Sequence, residues 1–117
     1  MKYNFEKLEV WQLGMELVNE IYMLSKNFPA SEKFTLTSQI KRAAISIPLN
    51  IAEGSGKRTK KDFRSYVRNA IGSTLEVVTC YKIAIQQNYF TKSQTEKLNV
   101  LLEKIYFKLI GLEKSLN

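Results

Sequence analysis

Cationic side chains gather in the middle of this sequence, and binding of phosphate groups is the chemistry that they could perform. Between positions 41 and 68, eight basic residues outnumber two acidic ones, which places +6 of the net charge of +7 in this segment. The eight are Lys41, Arg42, Lys57, Arg58, Lys60, Lys61, Arg64 and Arg68. Such a concentration favours a polyanionic partner, usually nucleic acid. The alternative interpretation is a solvated surface that keeps the protein in solution.

Four of these basic residues also have the spacing of one helix face. Lys57, Lys61, Arg64 and Arg68 follow one another at intervals of four, three and four residues, so they share one face of any helix that begins early enough. Cations along a helix can contact successive phosphates, with strong salt dependence and little base preference. No helix-turn-helix signature is present, so the prediction is limited to the nucleic-acid backbone. The predicted contact residues are Lys41, Lys57, Arg58, Lys60, Lys61, Arg64 and Arg68.

A glycine-containing string, Gly54 to Thr59, superficially suggests a P-loop for nucleotides. That motif needs a glycine five residues before its Gly-Lys pair and Ser or Thr after the lysine, but Ile51 and Arg58 occupy those positions. Nucleotide hydrolysis is therefore not predicted. A glycine turn, a basic run and a helix N-terminus together can still form a passive phosphate site.

Residue types also argue against catalysis and metal binding. The chain has no histidine and one cysteine, Cys80, so neither a Ser-His-Asp triad nor a Cys/His metal site can form. Cys80 lies among Val77, Val78 and Ile83, which favours a buried structural thiol over a nucleophile. We predict no catalytic residues, no metal, no cofactor and no enzymatic activity.

Apolar periodicity predicts the elements that carry these residues: four helices at about 8–27, 31–53, 60–87 and 92–116, within a single domain spanning 1–117. With 5 Gly and 2 Pro the chain lacks the turn residues of an all-β fold. The short linkers predict an all-α, antiparallel up-and-down four-helix bundle. Thr59 with Asp62, and Thr91 with Gln94, resemble capping boxes. Pro48 lies inside the second helix and predicts a kink there.

The first helix is more apolar than one bundle core requires. Trp11, Met15, Val18 and Tyr22 form one stripe, and a second stripe is rotated well away from it. A second stripe predicts burial against another copy of the chain. The predicted oligomer interface comprises Val10, Leu17, Ile21, Leu24 and Phe28, with Ile45 and Leu49 from the second helix.

Nothing in the sequence has the apolar length of a membrane span, and the N-terminus lacks a secretory pattern. A single cysteine fits a reducing compartment. We therefore expect a cytoplasmic protein without a membrane partner.

Three segments resemble a known bacterial family. They are FEKLEVW (5–11), NFPASEKFTLTSQIKRAAISIPLNIAEGSGK (27–57) and DFRSYVRNAIGSTLEVV (62–78), of which 38–57 is the most specific. They are similar to the four-helix-bundle proteins encoded in intervening sequences of 23S rRNA genes. Helix four matches in length and pattern only, and Gly72 to Glu76 departs from the spacing expected for the family.

The resemblance implies a compact bundle that assembles as a barrel-like homopentamer. A related group, the accessory proteins of diversity-generating retroelements, binds nucleic acid and a reverse transcriptase. Self-association, RNA or DNA, and a reverse transcriptase are thus the partners that it implies. Arg42, Asn50 and Glu53 match the family motif, and we interpret them as a structural polar cluster on one side of the second helix.

Two functions remain open from the sequence. The first is a homo-oligomeric scaffold, expected to be pentameric, that binds the backbone of nucleic acid, with RNA preferred, through its basic face. The second is a protein-interaction adaptor without nucleic-acid affinity.

Overall fold

Four long helices account for most of the chain in the computed structural model, which describes residues 2–117. They are α1 (Glu9–Ser25), α2 (Leu36–Ser55), α3 (Lys60–Gln86) and α4 (Lys92–Ser115). Short 3-10 helices precede α1 (Asn4–Lys7) and α2 (Ala30–Glu32). No strand occurs in the described range. The all-α prediction is confirmed, with helix boundaries close to those expected from the sequence.

Each helix packs against its neighbours in the chain, and α1 closes the ring against α4. Short connections between adjacent helices make the arrangement an up-and-down four-helix bundle, as predicted. The molecule measures 44 × 25 × 23 Å, so the helices run along its long axis.

Side chains cap both of the long C-terminal helices at the predicted positions. Thr59 Oγ1 accepts a hydrogen bond from the Asp62 amide at the start of α3. At the start of α4, Thr91 and Gln94 form a full reciprocal capping box. These bonds satisfy amide groups that have no partner inside the helix, which is why both helices begin where the sequence indicates.

The core contains one apolar face each of α2, α3 and α4. Leu98, Leu102, Ile105 and Leu109 of α4 are fully or almost fully buried. From α2 the buried apolar residues include Leu36, Ile40, Ala43, Ala44, Ile47 and Ile51, and from α3 they include Val67, Ala70 and Val77. Apolar periodicity therefore identifies the inward face of each of these three helices.

For α1 the prediction of the outer face is wrong. Val10, Leu17, Ile21 and Phe28, expected in an oligomer interface, are buried in the chain's own core, and Leu24 is half-buried against it. Two apolar stripes have the same periodicity, so spacing alone cannot choose between them.

A small residue lies in the stripe of α1 that turns inward. Gly14 belongs to the buried stripe, and a Cβ placed there would lie 3.4 Å from Pro48 Cδ, at the distance of an ordinary van der Waals contact. The α1–α2 packing is therefore close at Gly14 but would accommodate a methyl group. Trp11 and Val18 of the other stripe remain half-buried, and Met15 and Tyr22 are exposed.

The second helix continues through Pro48 as one element, as predicted. The kink at this residue stays a prediction. Its ring packs against Gly14 and is buried, so Pro48 contributes to the α1–α2 contact as well as to the backbone of α2.

Glycines at the end of α2 do not form a left-handed cap. Gly56 adopts a right-handed conformation (φ −86°), and no glycine in residues 2–117 has a positive φ. Gly54 is buried, and a Cβ there would lie 2.6 Å from Tyr66 Cβ and 3.0 Å from Phe63 Cδ1. Only glycine allows α3 to pass so close to α2 at this point.

At the opposite end, aromatic residues join the α1–α2 and α3–α4 connections. Asn88, with φ 65°, turns the chain at the end of α3 in a conformation that asparagine tolerates. The ring of Phe28 then lies 5.0 Å from that of Phe90 and 5.6 Å from that of Tyr89. Tyr89 donates a 2.8 Å hydrogen bond to Glu32. We call Phe28, Glu32, Tyr89 and Phe90 the aromatic end.

Candidate nucleic-acid interface

Basic side chains surround the start of α3, at the opposite end of the bundle from the aromatic end. The turn after α2 supplies Lys57 and Arg58, and the first turns of α3 supply the others. We call this set the basic end: Lys57, Arg58, Lys60, Lys61, Arg64 and Arg68. Its positive charge adds to the partial positive charge of the α3 N-terminus, which also favours anions.

Lys57 does not lie on α3, because the helix begins at Lys60. The predicted helical spacing therefore applies to Lys61, Arg64 and Arg68 alone. Lys57 Nζ lies instead 5.2 Å from the centre of the Tyr66 ring, in a cation–π contact on the side of α3 that faces Gly54. The ring holds the ammonium group beside α3 without neutralising its charge.

Two arginines of the basic end contact the end of α4. Arg68 Nε forms a 2.6 Å ion pair with Glu113, and Arg64 Nη1 donates a 2.8 Å hydrogen bond to Asn117 Oδ1. The side chain of Arg68 is still 63% exposed. These contacts orient the two guanidinium groups along the α3–α4 boundary and leave Arg68 accessible to a ligand.

The remaining four cations have no acidic partner within residues 2–117. Lys57, Arg58, Lys60 and Lys61 are exposed, and none of them forms a salt bridge there. A cluster of unpaired, hydrated cations is ready to exchange its counterions for phosphate groups.

Lys41 does not belong with this group. It lies about four helical turns before the end of α2. Its Nζ is 4.8 Å from the centre of the Tyr22 ring on α1. Lys41 therefore lies apart from the α2–α3 turn, and its predicted contact with nucleic acid stays a prediction.

The residues of the predicted polar cluster on α2 do not bond to one another. Asn50 donates to the Ser46 carbonyl (2.7 Å) and hydroxyl (2.9 Å), and Ser46 bonds to Ser73 of α3 (2.7 Å). Within residues 2–117 no hydrogen bond or ion pair joins Arg42, Asn50 and Glu53 to one another. The half-buried bond between α2 and α3 runs through two serines, whose side chains are too short and common to give a sequence signal.

Arg42, Asn50 and Glu53 do share a location, because all three line a groove on the outer side of α2. This α2 groove has a volume of about 760 Å³. Its lining comprises Lys33, Phe34, Thr37, Ser38, Lys41, Arg42, Ile45, Ser46, Leu49, Asn50 and Glu53. A smaller apolar groove of about 320 Å³ adjoins it, shares Ile45 and Leu49, and includes Trp11 and Met15 of α1.

No other chemistry emerges around these surfaces. Among residues 2–117, no three His, Cys, Asp or Glu side chains lie close enough to hold a metal ion. Cys80 is buried in α3, as predicted, and its burial raises the pKa of the thiol, which lowers its reactivity. Of the helices in the described range, none is long and apolar enough to cross a bilayer.

A bundle of four antiparallel helices with a cationic end defines a class of small helical proteins, and comparison with known proteins identifies the family. The family model of the 23S rRNA-intervening sequence protein matches residues 6–111. This chain therefore belongs to that family, as the resemblance indicates.

A solved structure supports the assignment. The chain is similar to a protein of unknown function from the S23 ribosomal protein family of Bacteroides thetaiotaomicron, with a TM-score of 0.82 and 27% sequence identity. The alignment covers 90% of this chain and 98% of that one. No curated protein matches the chain significantly.

Proposed function

We propose that this protein is a non-enzymatic, homo-oligomeric scaffold that binds the phosphate backbone of nucleic acid, RNA in particular, through its basic end. The observation that carries the proposal is a group of four exposed cations, Lys57, Arg58, Lys60 and Lys61, beside the N-terminus of α3, none of which has an acidic partner in the described residues 2–117. Phosphate oxygens satisfy such a group better than any other common cellular ligand.

Self-association would increase the number of basic ends that one nucleic acid can contact. Each copy contributes one basic end, and copies held in a ring of five, the expected subunit number, present five of them together. Weak phosphate contacts then add by multivalency, because the second contact on one RNA becomes intramolecular. Uncovered apolar side chains, among them Met15 and Leu49, support association between copies.

The test measures affinity for a hairpin RNA of generic sequence as salt is raised. Replacing Arg58, Lys60 and Lys61 with Gln removes three cations from the basic end without adding negative charge. We expect an affinity loss on the order of 100-fold at about 0.1 M salt, and a log–log salt slope smaller by about 0.7 to 0.9 per lost contact.

The matched control removes the same charge elsewhere. Lys26, directly after α1, and Lys92 and Lys104 of α4 are exposed residues outside the basic end. Their triple replacement with Gln should leave most of the affinity and the slope intact. Equal losses in both variants would mean that net charge alone attracts RNA, and an affinity that is independent of salt would contradict the proposal outright.

The second candidate, a protein-interaction adaptor, is favoured by the same uncovered apolar side chains of α1 and α2. It would bind an acidic protein surface through the basic end, and a reverse transcriptase is one partner of this kind. Purification from nuclease-treated cytoplasmic extract separates the two functions: a stoichiometric protein partner retained without RNA supports the adaptor.

A further inference from the structure

Two apolar surfaces stay uncovered on opposite sides of the bundle. One is the α2 groove, next to α1. The other lies along the outer side of α4. Because the helices follow one another around a ring, α2 and α4 lie diagonally across the bundle, and their outer sides face in opposite directions. A contact between copies that covers one of them can therefore cover the other at the same time.

The outer side of α4 carries acidic and apolar residues in alternation. Glu96, Val100, Glu103 and Phe107 follow at intervals of four, three and four residues, which places them in one row along the helix. Val100 is 65% exposed and Phe107 is 67% exposed. Both glutamates are exposed, and neither forms an ion pair within residues 2–117. We call these four residues the α4 row.

The α2 groove offers the complementary pattern. Its apolar floor and rim include Ile45, the 60% exposed Leu49 and the 86% exposed Phe34. Lys33, Lys41 and Arg42 outnumber one acid, Glu53, in its lining. At 1.5 Å per residue the α4 row is about 16 Å long, and the stretch of α2 that lines the groove, Thr37 to Glu53, is about 24 Å long, so the row fits within it.

We propose that the α4 row of one copy occupies the α2 groove of the next, which rests on the self-association in the proposed function and specifies its partner surfaces. Val100 and Phe107 pack against Ile45 and Leu49, while Glu96 and Glu103 approach Lys41 and Arg42. This is a helix-in-groove contact, with anchors one to two turns apart.

Head-to-tail pairing covers both surfaces. A symmetric contact of one α2 groove with another would leave the α4 row uncovered. Joining two different surfaces instead leads to a closed ring or an open filament, depending on the rotation between copies. The basic end belongs to neither surface, so it stays accessible to phosphate.

Light scattering after size-exclusion chromatography tests the pairing with two aspartate variants, Leu49→Asp and Phe107→Asp. Both sites are exposed in the monomer, so both variants should fold, which circular dichroism verifies. We expect each variant alone to have the mass of a monomer. An equimolar mixture should form a heterodimer and nothing larger, because one copy retains an intact groove and the other an intact row.

Met23→Asp is the matched control, since Met23 is 57% exposed but lies in neither surface. It should assemble like the unmodified protein. If Phe107→Asp still assembles, or if the mixture stays monomeric, the pairing is overturned while self-association stands. An unmodified protein that is monomeric at all concentrations overturns the oligomeric part of the proposed function as well, whereas loss of RNA binding alone leaves the pairing intact.

Discussion

The two ends of the bundle use their polar and aromatic side chains in opposite ways. At the aromatic end, Glu32 accepts hydrogen bonds from Thr35 and Tyr89, and the ring of Phe28 packs against its neighbours. At the basic end, most cations have no acidic partner in residues 2–117 and face water. The first end uses its interactions to hold two connections together, and the second keeps its charges free for a ligand. Substitutions at the two ends should therefore have different consequences.

Phe28→Ala at the aromatic end should cause the largest loss in the free energy of unfolding. Phe28 is buried between Tyr89 and Phe90, so its removal leaves a cavity between the two connections. We expect the free energy of unfolding to fall by about 3 kcal/mol or more, measured by urea denaturation. RNA affinity of the folded protein should not change. Met23→Ala, at an exposed site on α1, should alter stability by less than about 0.5 kcal/mol. A comparable loss in both variants would contradict the role of the aromatic end.

Gly54→Ala, near the basic end, should cause the second-largest loss in the free energy of unfolding. The added methyl group would meet Tyr66 Cβ, an atom held by the backbone of α3, so the two helices must separate. We expect a loss of about 2 kcal/mol in denaturation experiments. Gly72→Ala is the control, because nothing lies within 4 Å of its added Cβ and alanine favours a helix by about 1 kcal/mol. Opposite signs for the two variants would show that close packing, not helix propensity, requires Gly54.

At the aromatic end, Glu32 should make a smaller contribution to stability, and this contribution should depend on pH. Hydrogen bonds from Thr35 and Tyr89 hold the pKa of Glu32 below its ordinary value of 4.5. Because the folded pKa is the lower one, this stabilisation is present above about pH 4.5 and is lost as the pH falls through the folded pKa. Glu32→Gln should thus be less stable than the unmodified protein at neutral pH, with a difference that shrinks in acid. A difference independent of pH would exclude the ionised carboxylate as its cause.

The smallest effect on stability is expected from Glu113→Gln at the basic end. The ion pair with Arg68 is largely exposed, so its loss should change the free energy of unfolding by less than about 1 kcal/mol. RNA affinity should rise, because Arg68 no longer has a competing carboxylate. Denaturation and salt-dependent RNA titration of the same variant measure both quantities. Reduced affinity would indicate that Glu113 positions Arg68 for its ligand.

Much of the fold could be predicted from the sequence because its signals are local. The capping residues Thr59 and Thr91 and the single inward faces of α2, α3 and α4 act over one or two helical turns. The inward face of α1 depends on tertiary packing against α2, as at Gly14 and Pro48, which are far apart in the sequence. The close passage of α3 at Gly54 is likewise a tertiary feature, and a glycine in the sequence does not reveal what packs against it.

The candidate site was predictable in composition and less so in geometry. The concentration of charge before and within α3 identifies the basic end. Lys41 and Lys57 show the limit of this inference, because one lies four turns away on α2 and the other contacts Tyr66 from a turn. Their positions depend on where α3 begins and how α2 passes it, which charge patterning does not specify.

Because Cys80 is buried, the reactivity of its thiol reports on the opening of the bundle. Cys80 carries the single thiol of the chain and is only 6% exposed, so alkylating reagents should modify it faster when α3 separates from the bundle. The rate of modification in native buffer should therefore rise in variants whose bundle opens more often. No dye or engineered label is needed for such a measurement.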